Sequence, residues 1–339
     1  MGTAREIVTT DYHTAGEPFR IVLDGLAEIP GVSVRDRREY ERGSGEVDFV
    51  RELLCNEPRG HADMYGGFLA PPDDDGADLG VLFWHKDGYS TACGHGTIAL
   101  GAWAVESGRV AAAPDGVTEV TIDVPSGRVV AAVSVRRGRV ESVAFRNVPA
   151  YVVAESVPVE TDRGSARVDV SYGGAIYASV AARDLGLSVT ADHYSELIAA
   201  GRAVKRALDG SDLARHPTDD RLSGIYGTIF YDDLGDAADG PRQRNVAVFA
   251  DGEVDRSPCG SGTSARAALL AAAGRLDGDR VLTHQSIVGT EFHARVTGRV
   301  RAEGRDAVVT EVVGQAFRTG EHRFVLDPRD PLGTGFVLR

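Results

Sequence analysis

The chain contains one cysteine-headed segment twice. Cys93 begins CGHGTIALGAWAVESGRV, and 166 residues later Cys259 begins CGSGTSARAALLAAAGRL. Aligned without gaps over 18 positions, the copies share eight identical residues, from the cysteine to a Gly-Arg pair at the far end. Each copy predicts a turn that presents a thiol at the start of a helix. The repeat therefore predicts a duplicated fold with two related halves.

The length and the local patterns indicate an α/β protein of two domains. A chain of 339 residues exceeds the size at which one core usually keeps growing. Each half has strand patterns, one cysteine-led helix and then more strands. The repeat spacing predicts domains at 1–150, with a C-terminal return at about 318–339, and at 151–317.

Several local patterns are specific enough to predict elements. GVLFWH (Gly80–His85) predicts a buried strand that leads into the first cysteine turn. Residues 117–148 predict a strand meander, and 193–208 predict a helix. Residues 35–54 predict an amphipathic helix in their second half only, because glycines interrupt the first half.

Composition excludes several classes of function. The net charge of −13 argues against nucleic-acid binding, since it repels a phosphate backbone. No stretch approaches 18 consecutive apolar residues, so no membrane span is expected. The N-terminal sequence lacks an apolar stretch like that of a signal peptide, which predicts a cytoplasmic protein. Three cysteines do not make a disulfide framework in a chain this long.

The two cysteine turns suggest acid/base chemistry at carbon. A helix N-terminus carries partial positive charge and unpaired N–H groups, so it lowers a thiol pKa and can hold a carboxylate. Two opposed helix starts would grip an amino-acid carboxylate, and the thiols would flank its α-carbon. One thiolate would remove a proton while the other thiol returns one. Two nearby thiols titrate as a coupled pair, which favours the singly ionised state that this needs.

Other candidate residues have two interpretations each. His95 either caps its helix or faces solvent, or else donates to substrate. Asp255 is either a turn aspartate before Ser257 or a carboxylate that binds a substrate nitrogen. Cys55 is expected to be a buried small hydrophobe. Metal binding is not predicted, because there is no C-x-x-C motif and Cys93 with His95 falls short of a ligand set.

The chain resembles the proline racemase family from end to end. The segments with this resemblance are HTAGEPFRIVLDG (13–25), EPRGHADMYGG (57–67), GYSTACGHGTIALG (88–101), SYGGAIYASV (171–180), HPTDDRLSGIYGTIF (216–230), NVAVFADGEVDRSPCGSGTSARAALL (245–270) and TGEHRFVLDPRDPLGTGFVL (319–338). The resemblance implies a fold like that of diaminopimelate epimerase, with two pseudo-symmetric α/β domains. Each domain would be a curled mixed sheet around a central helix, with the active site in the cleft. It also implies catalysis without a cofactor and, commonly in the family, a homodimer.

The resemblance also implies roles for individual residues. Cys93 and Cys259 would be the acid/base pair, and Asp255 with His95 would bind the ring nitrogen. The other implied substrate contacts are Gly94, His95, Gly260 and Ser261, with Tyr65 and Phe249 as aromatic walls around a pyrrolidine ring.

Three activities within the family remain open, of which the racemisation of free proline is favoured. The segments YGTIFYDD and VFADGEVDRSP are most similar to the branch of trans-3-hydroxy-L-proline dehydratases, which generally have Thr or Ser where this chain has Cys259. Retention of both thiols favours inversion over dehydration. Phe249 argues against a 4-hydroxyproline 2-epimerase, which tends to have a smaller or polar residue there. A small-molecule binding module, or a redox protein with a Cys93–Cys259 disulfide, is the non-enzymatic alternative.

Overall fold

The structure is a computed structural model, which describes residues 5–45 and 47–338. The chain divides into two compact units. The first unit contains the residues up to Thr91, Gly96–Val143 and the residues from Gln315 onward. The second contains Ala92–His95 and Ala144–Gly314. The first cysteine and the two residues after it therefore group with the second unit, although the sequence placed them in the first half.

The described residues form eighteen strands and five α-helices. Up to residue 146 these are β1 (Arg5–Thr14), β2 (Glu17–Asp24), α1 (Val34–Ser44), α2 (Asp48–Cys55), β3 (Tyr65–Ala70), β4 (Leu79–His85), β5 (Gly88–Tyr89), α3 (Gly94–Glu106), β6 (Gly116–Val124), β7 (Gly127–Arg136) and β8 (Arg139–Arg146). From residue 150 they are β9 (Ala150–Thr161), β10 (Gly164–Tyr172), β11 (Ile176–Ala181), α4 (Tyr194–Leu208), β12 (Ile225–Asp236), β13 (Pro241–Phe249), β14 (Glu253–Asp255), α5 (Gly260–Ala272), β15 (Leu282–Ser286), β16 (Glu291–Ala302), β17 (Arg305–Gly314) and β18 (Ala316–Leu326).

Strand pairing shows the duplication directly. The first unit has the order β18-β1-β2-β3-β4-β6-β7, and the second has β9-β10-β11-β12-β13-β15-β16. In both orders the third pair and the fifth pair are parallel and the others antiparallel. Each parallel pair needs a crossover, which helices supply in both units. The short strand β5 pairs with β4, and the short strand β14 pairs with β13. Each short strand is the last strand before a cysteine turn. The predicted α/β fold with two related parts is confirmed.

The sheet of the second unit closes around α5. Strand β17 pairs with β16 on one side and with β9 on the other, which completes a ring of eight strands. Every residue of α5 from Gly260 to Ala271 is buried. Small side chains allow this close packing, because the helix segment GSGTSARAALLAA has few large residues. A helix buried on all sides places its N-terminus inside the unit.

Residues 35–54 differ from the prediction, because both halves are helical. Helix α1 begins after Ser33, whose hydroxyl accepts a hydrogen bond from the N–H of Asp36. It ends at Gly45, which adopts a left-handed conformation (φ 63°) that suits a C-cap. Gly43 stays within the helix. Cys55 ends α2 and is buried in the core of the first unit, as expected. Within residues 5–45 and 47–338, no helix has the length and apolar character needed to cross a membrane.

Candidate active site

The residues after the two cysteines are in direct backbone contact. A Cβ atom built on Gly94 would lie 2.6 Å from Cα of Gly260, and one built on Gly260 would lie 2.7 Å from Cα of Gly94. Only glycine allows such an approach. Neighbouring Cα atoms are about 3.8 Å apart, so the Cα atoms of Cys93 and Cys259 lie within about 12 Å of each other. The structure thus brings the two predicted catalytic thiols together in one unit.

A turn of hydrogen bonds positions Cys259. The N–H of Ser257 donates to Oδ1 of Asp255 at 2.8 Å, and Oγ of Ser257 accepts from the N–H of Cys259 at 3.0 Å. The carbonyl of Cys259 then accepts from the N–H of Thr263 at 2.6 Å, which starts α5. Cys259 itself has φ 62° and ψ 100°, a conformation that non-glycine residues rarely adopt. Backbone strain of this kind is concentrated at functional sites.

His95 lies between the first thiol and the predicted nitrogen-binding carboxylate. Its Nδ1 is 3.4 Å from Sγ of Cys93 and 3.8 Å from Oδ2 of Asp255. His95 and Asp255 are 4% and 3% exposed, which rules out a solvent-facing role for the histidine. One carboxylate oxygen of Asp255 accepts the hydrogen bond of the turn, and the other faces His95. Its binding of a substrate nitrogen stays a prediction.

The electrostatics of Cys259 differ from the expectation drawn from helix N-termini. Burial raises the pKa of the Cys259 thiol well above its usual value, and the nearby carboxylate of Asp255 raises it further. A hydrogen bond from the N–H of Gly262 acts in the opposite direction but does not offset burial. The prediction that the helix start lowers this thiol pKa is therefore wrong for Cys259. The thiol is 7% exposed, and burial disfavours its charged form.

The carboxyl group of Asp255 is also hard to ionise. Burial raises the pKa of its carboxyl group to about 6, although hydrogen bonds from Ser257 favour the ionised form. A cationic substrate nitrogen beside this carboxylate would favour ionisation, because opposite charges stabilise one another in a buried site. The arrangement can therefore bind a protonated amine.

The remaining predicted contacts are divided between the two units: Ser261 and Phe249 belong to the second unit and Tyr65 to the first. Ser261 is buried in the first turn of α5, and among the described residues its Oγ has no hydrogen-bond partner. Phe249 ends β13 and stacks on Tyr226 with ring centroids 5.6 Å apart. Tyr65 belongs to the first unit, where it is buried and its hydroxyl forms a hydrogen bond with Oγ of Ser90.

Two residues near Cys259 were missed by the sequence analysis. The thiol of Cys259 lies 3.8 Å from the hydroxyl of Tyr177, which is 82 residues away in the chain. Nδ1 of His284 lies 2.8 Å from Oγ1 of Thr263, which is in the first turn of α5 after Cys259. Strand alternation could have placed Tyr177 and His284 on an inner face of the sheet, but no motif marks them.

Comparison with known proteins identifies the family. A family model described as proline racemase matches residues 9–337. The chain belongs to the proline racemase family. It is 41% identical over 343 residues to the trans-3-hydroxy-L-proline dehydratase of Bacillus cereus, covering 100% of both chains. It is 42% identical over 343 residues to the 3-hydroxyproline 2-epimerase of Burkholderia multivorans, again covering 100% of both.

Solved structures of the same family share the fold. A hydroxyproline epimerase from Agrobacterium vitis, with bound trans-4-hydroxy-L-proline, superposes with a TM-score of 0.91 at 32% identity. The match covers 98% of this chain and 96% of that one. The family and the fold inferred from the sequence are thus confirmed, and the protein is an enzyme of the proline racemase family.

Proposed function

We propose that this enzyme is a hydroxyproline 2-epimerase that inverts the α-carbon of 3-hydroxyproline. The observation that supports inversion is the presence of two thiols, Cys93 and Cys259, in one site joined by the contact of Gly94 with Gly260. The relatives named for 3-hydroxyproline chemistry are 41–42% identical, whereas the solved hydroxyproline epimerase with a 4-hydroxylated ligand is 32% identical. The sequence analysis favoured free proline. These relatives support a hydroxyproline substrate instead.

The proposed reaction exchanges one proton for another. The thiolate of one cysteine takes the α-proton and becomes a thiol. The electron pair left on the α-carbon delocalises into the carboxylate, and the other thiol then donates its proton to the opposite face. The backbone N–H groups that follow Gly94 and Gly260 would stabilise the carboxylate as negative charge develops on it. His95 and Asp255 would bind the ring nitrogen.

The second candidate is the dehydration of trans-3-hydroxy-L-proline, because several relatives about 41% identical carry the name trans-3-hydroxy-L-proline dehydratase. Here one thiolate removes the α-proton, and the 3-hydroxyl group leaves as water with one further proton. The resulting enamine tautomerises to pyrroline-2-carboxylate. This reaction needs a base on one face only, so it does not account for a second thiol at residue 259.

Proton NMR in D2O separates these candidates. Purified, reduced enzyme is incubated with trans-3-hydroxy-L-proline, trans-4-hydroxy-L-proline and L-proline in turn. We expect α-deuteration and cis-3-hydroxy-D-proline from the first substrate, at a higher kcat/KM than from the others. Pyrroline-2-carboxylate as the main product would favour the dehydratase, and α-deuteration of L-proline with D-proline as the preferred product would restore the racemase. Neither exchange nor pyrroline-2-carboxylate with any of the three would contradict all of these activities.

Catalysis without cofactor or metal, a homodimeric assembly and a cytoplasmic location remain predictions. The first can be tested in the same NMR assay after dialysis against a chelator, where full activity is expected. Sedimentation velocity would test the dimer.

A further inference from the structure

The side chain of Tyr177, which belongs to the sheet of the second unit, faces the Cys259 thiol. It lies on β11, is 1% exposed, and its hydroxyl oxygen accepts from the thiol across 3.8 Å. Its ring packs edge-on against Tyr226, with centroids 5.7 Å apart and an interplanar angle of 89°. Tyr226 in turn stacks on Phe249. The packing of these three aromatic rings therefore holds the hydroxyl of Tyr177 beside the sulfur.

The proposed inversion requires a negative charge on the Cys259 sulfur. In one of the two directions of the reaction, Cys259 must be a thiolate in a site where it is 7% exposed and close to the carboxylate of Asp255. Both features oppose a negative charge on the sulfur. A buried anion is stabilised well by a hydroxyl whose oxygen is already in place, because only its hydrogen has to rotate before it donates.

We propose that Tyr177 is a positioning residue that donates its phenolic hydrogen to the Cys259 thiolate, which makes this cysteine usable as a base. The inference rests on the proposed two-thiol function. When Cys259 is a thiol, it donates to the tyrosine oxygen; when it loses its proton, rotation of the phenolic O–H reverses the hydrogen bond. Burial raises the pKa of Tyr177 well above its usual value, so the phenol retains its own proton and remains a donor.

The groups that set the charge state of this thiol come from several elements. Asp255 at the end of β14 opposes the thiolate, and His95 lies on the far side of that carboxylate. The N–H of Gly262 in α5 favours the thiolate. Tyr226 on β12 faces Tyr177 and contributes to the raised pKa of its phenol. Of these groups, Tyr177 supplies the side-chain hydrogen bond that favours the thiolate.

The test measures the thiolate directly, without substrate. In a Cys93→Ala background, the rate of alkylation of Cys259 by iodoacetamide is followed by peptide mass spectrometry across pH 6–11. Tyr177→Phe keeps the packed ring and removes the hydroxyl. We expect it to raise the apparent pKa of Cys259 by about one unit, with alkylation about tenfold slower below that pKa. Tyr226→Phe, the matched control, should leave the alkylation profile of Cys259 within about 0.3 units of the parent, since its ring is a further step away.

The activity of Tyr177→Phe in an otherwise unchanged chain gives the second readout. Loss of a thiolate donor should lower kcat/KM by a similar factor for every substrate turned over, in both directions. An unchanged alkylation pKa would overturn the inference. So would a loss confined to 3-hydroxyproline, because it would show that the hydroxyl binds the substrate. If the parent enzyme inverts no substrate but the alkylation pKa still shifts, the proposed function fails and the role of Tyr177 at the thiol stands.

Discussion

Nδ1 of His284 lies 2.8 Å from Oγ1 of Thr263, and this hydroxyl also lies 3.0 Å from the carbonyl oxygen of Pro258. A threonine hydroxyl has one hydrogen, which it donates to the carbonyl, so it accepts from Nδ1–H of the histidine. A neutral imidazole buried in β15 thus holds the peptide that precedes Cys259. Burial and the charge of Arg266 lower the pKa of His284 to about 3.

This histidine makes the protein sensitive to acid. An unfolded histidine binds a proton below about pH 6.5, whereas His284 in the folded chain stays neutral down to about pH 3. Its contribution to the free energy of unfolding is therefore complete above about pH 6.5 and is lost as the pH falls toward 3. His284→Asn keeps an N–H donor and does not titrate. We expect urea unfolding of this variant to lose less stability than wild type between pH 6.5 and 4, by up to about 1.4 kcal/mol per pH unit.

The control for the acid sensitivity is His293→Asn, which replaces a half-exposed histidine of β16. It should keep the wild-type slope of stability against pH. Parallel stability curves for His284→Asn and wild type would show that His284 is not held neutral in the folded protein.

Asp255 gives the opposite slope. Its pKa is raised to about 6 in the folded chain, above the value of about 3.9 in an unfolded one. Its contribution to stability is fully present below about pH 3.9 and is lost as the pH rises through 6. Asp255→Asn should therefore gain stability relative to wild type between pH 4 and 6, measured by urea unfolding, and the difference should level off above pH 7. Asp251→Asn, at an exposed carboxylate, should show no such change.

The same carboxylate predicts the acid limb of activity. If Asp255 binds the ring nitrogen as a carboxylate, kcat/KM of wild type should fall as the pH decreases through about 6. Asp255→Asn should lower kcat/KM about 100-fold or more at pH 8, because it removes a buried charged partner of the substrate nitrogen. A variant with near-wild-type kcat/KM would limit Asp255 to its role in the turn with Ser257.

The contact of Gly94 with Gly260 predicts a steric requirement. An added methyl group at either position meets the backbone of the other glycine within 2.7 Å, so the two segments must separate. Gly94→Ala and Gly260→Ala should each lower kcat/KM about 100-fold or more, because displaced catalytic groups lose their alignment. Gly43→Ala is the control, since a methyl group there meets no atom within 4 Å. Its kcat/KM should equal that of wild type. A wild-type kcat/KM in Gly94→Ala would show that this contact does not align the catalytic groups.

The sequence predicted what depends on local pattern and on the repeat. The cysteine-led helices, the repeated succession of strands, helix and strands along the chain, and helix α4 follow from periodicity and from the turn residues. Closure of the second sheet could not be derived from local pattern, although the family resemblance implied a curled sheet, because it depends on Tyr151 pairing with Ala307 across more than 150 residues of chain. The raised pKa of Cys259 was missed for the same reason, since burial and the position of Tyr177 arise only when distant strands assemble around α5.

The second thiol should decide between inversion and dehydration. Cys259→Ser keeps a side chain of similar size but replaces the thiol with a hydroxyl, whose pKa is too high for it to act as the acid/base group. With Cys93 still present as a base on one face, we expect inversion of trans-3-hydroxy-L-proline to fall about 1000-fold (about 4 kcal/mol), because a proton-transfer group is lost. Any remaining turnover should appear as pyrroline-2-carboxylate by NMR. Cys55→Ala changes a thiol in the core of the first unit and should retain inversion. Inversion by Cys259→Ser at the wild-type rate would mean that water or another group protonates the second face, and the two-thiol mechanism would be wrong.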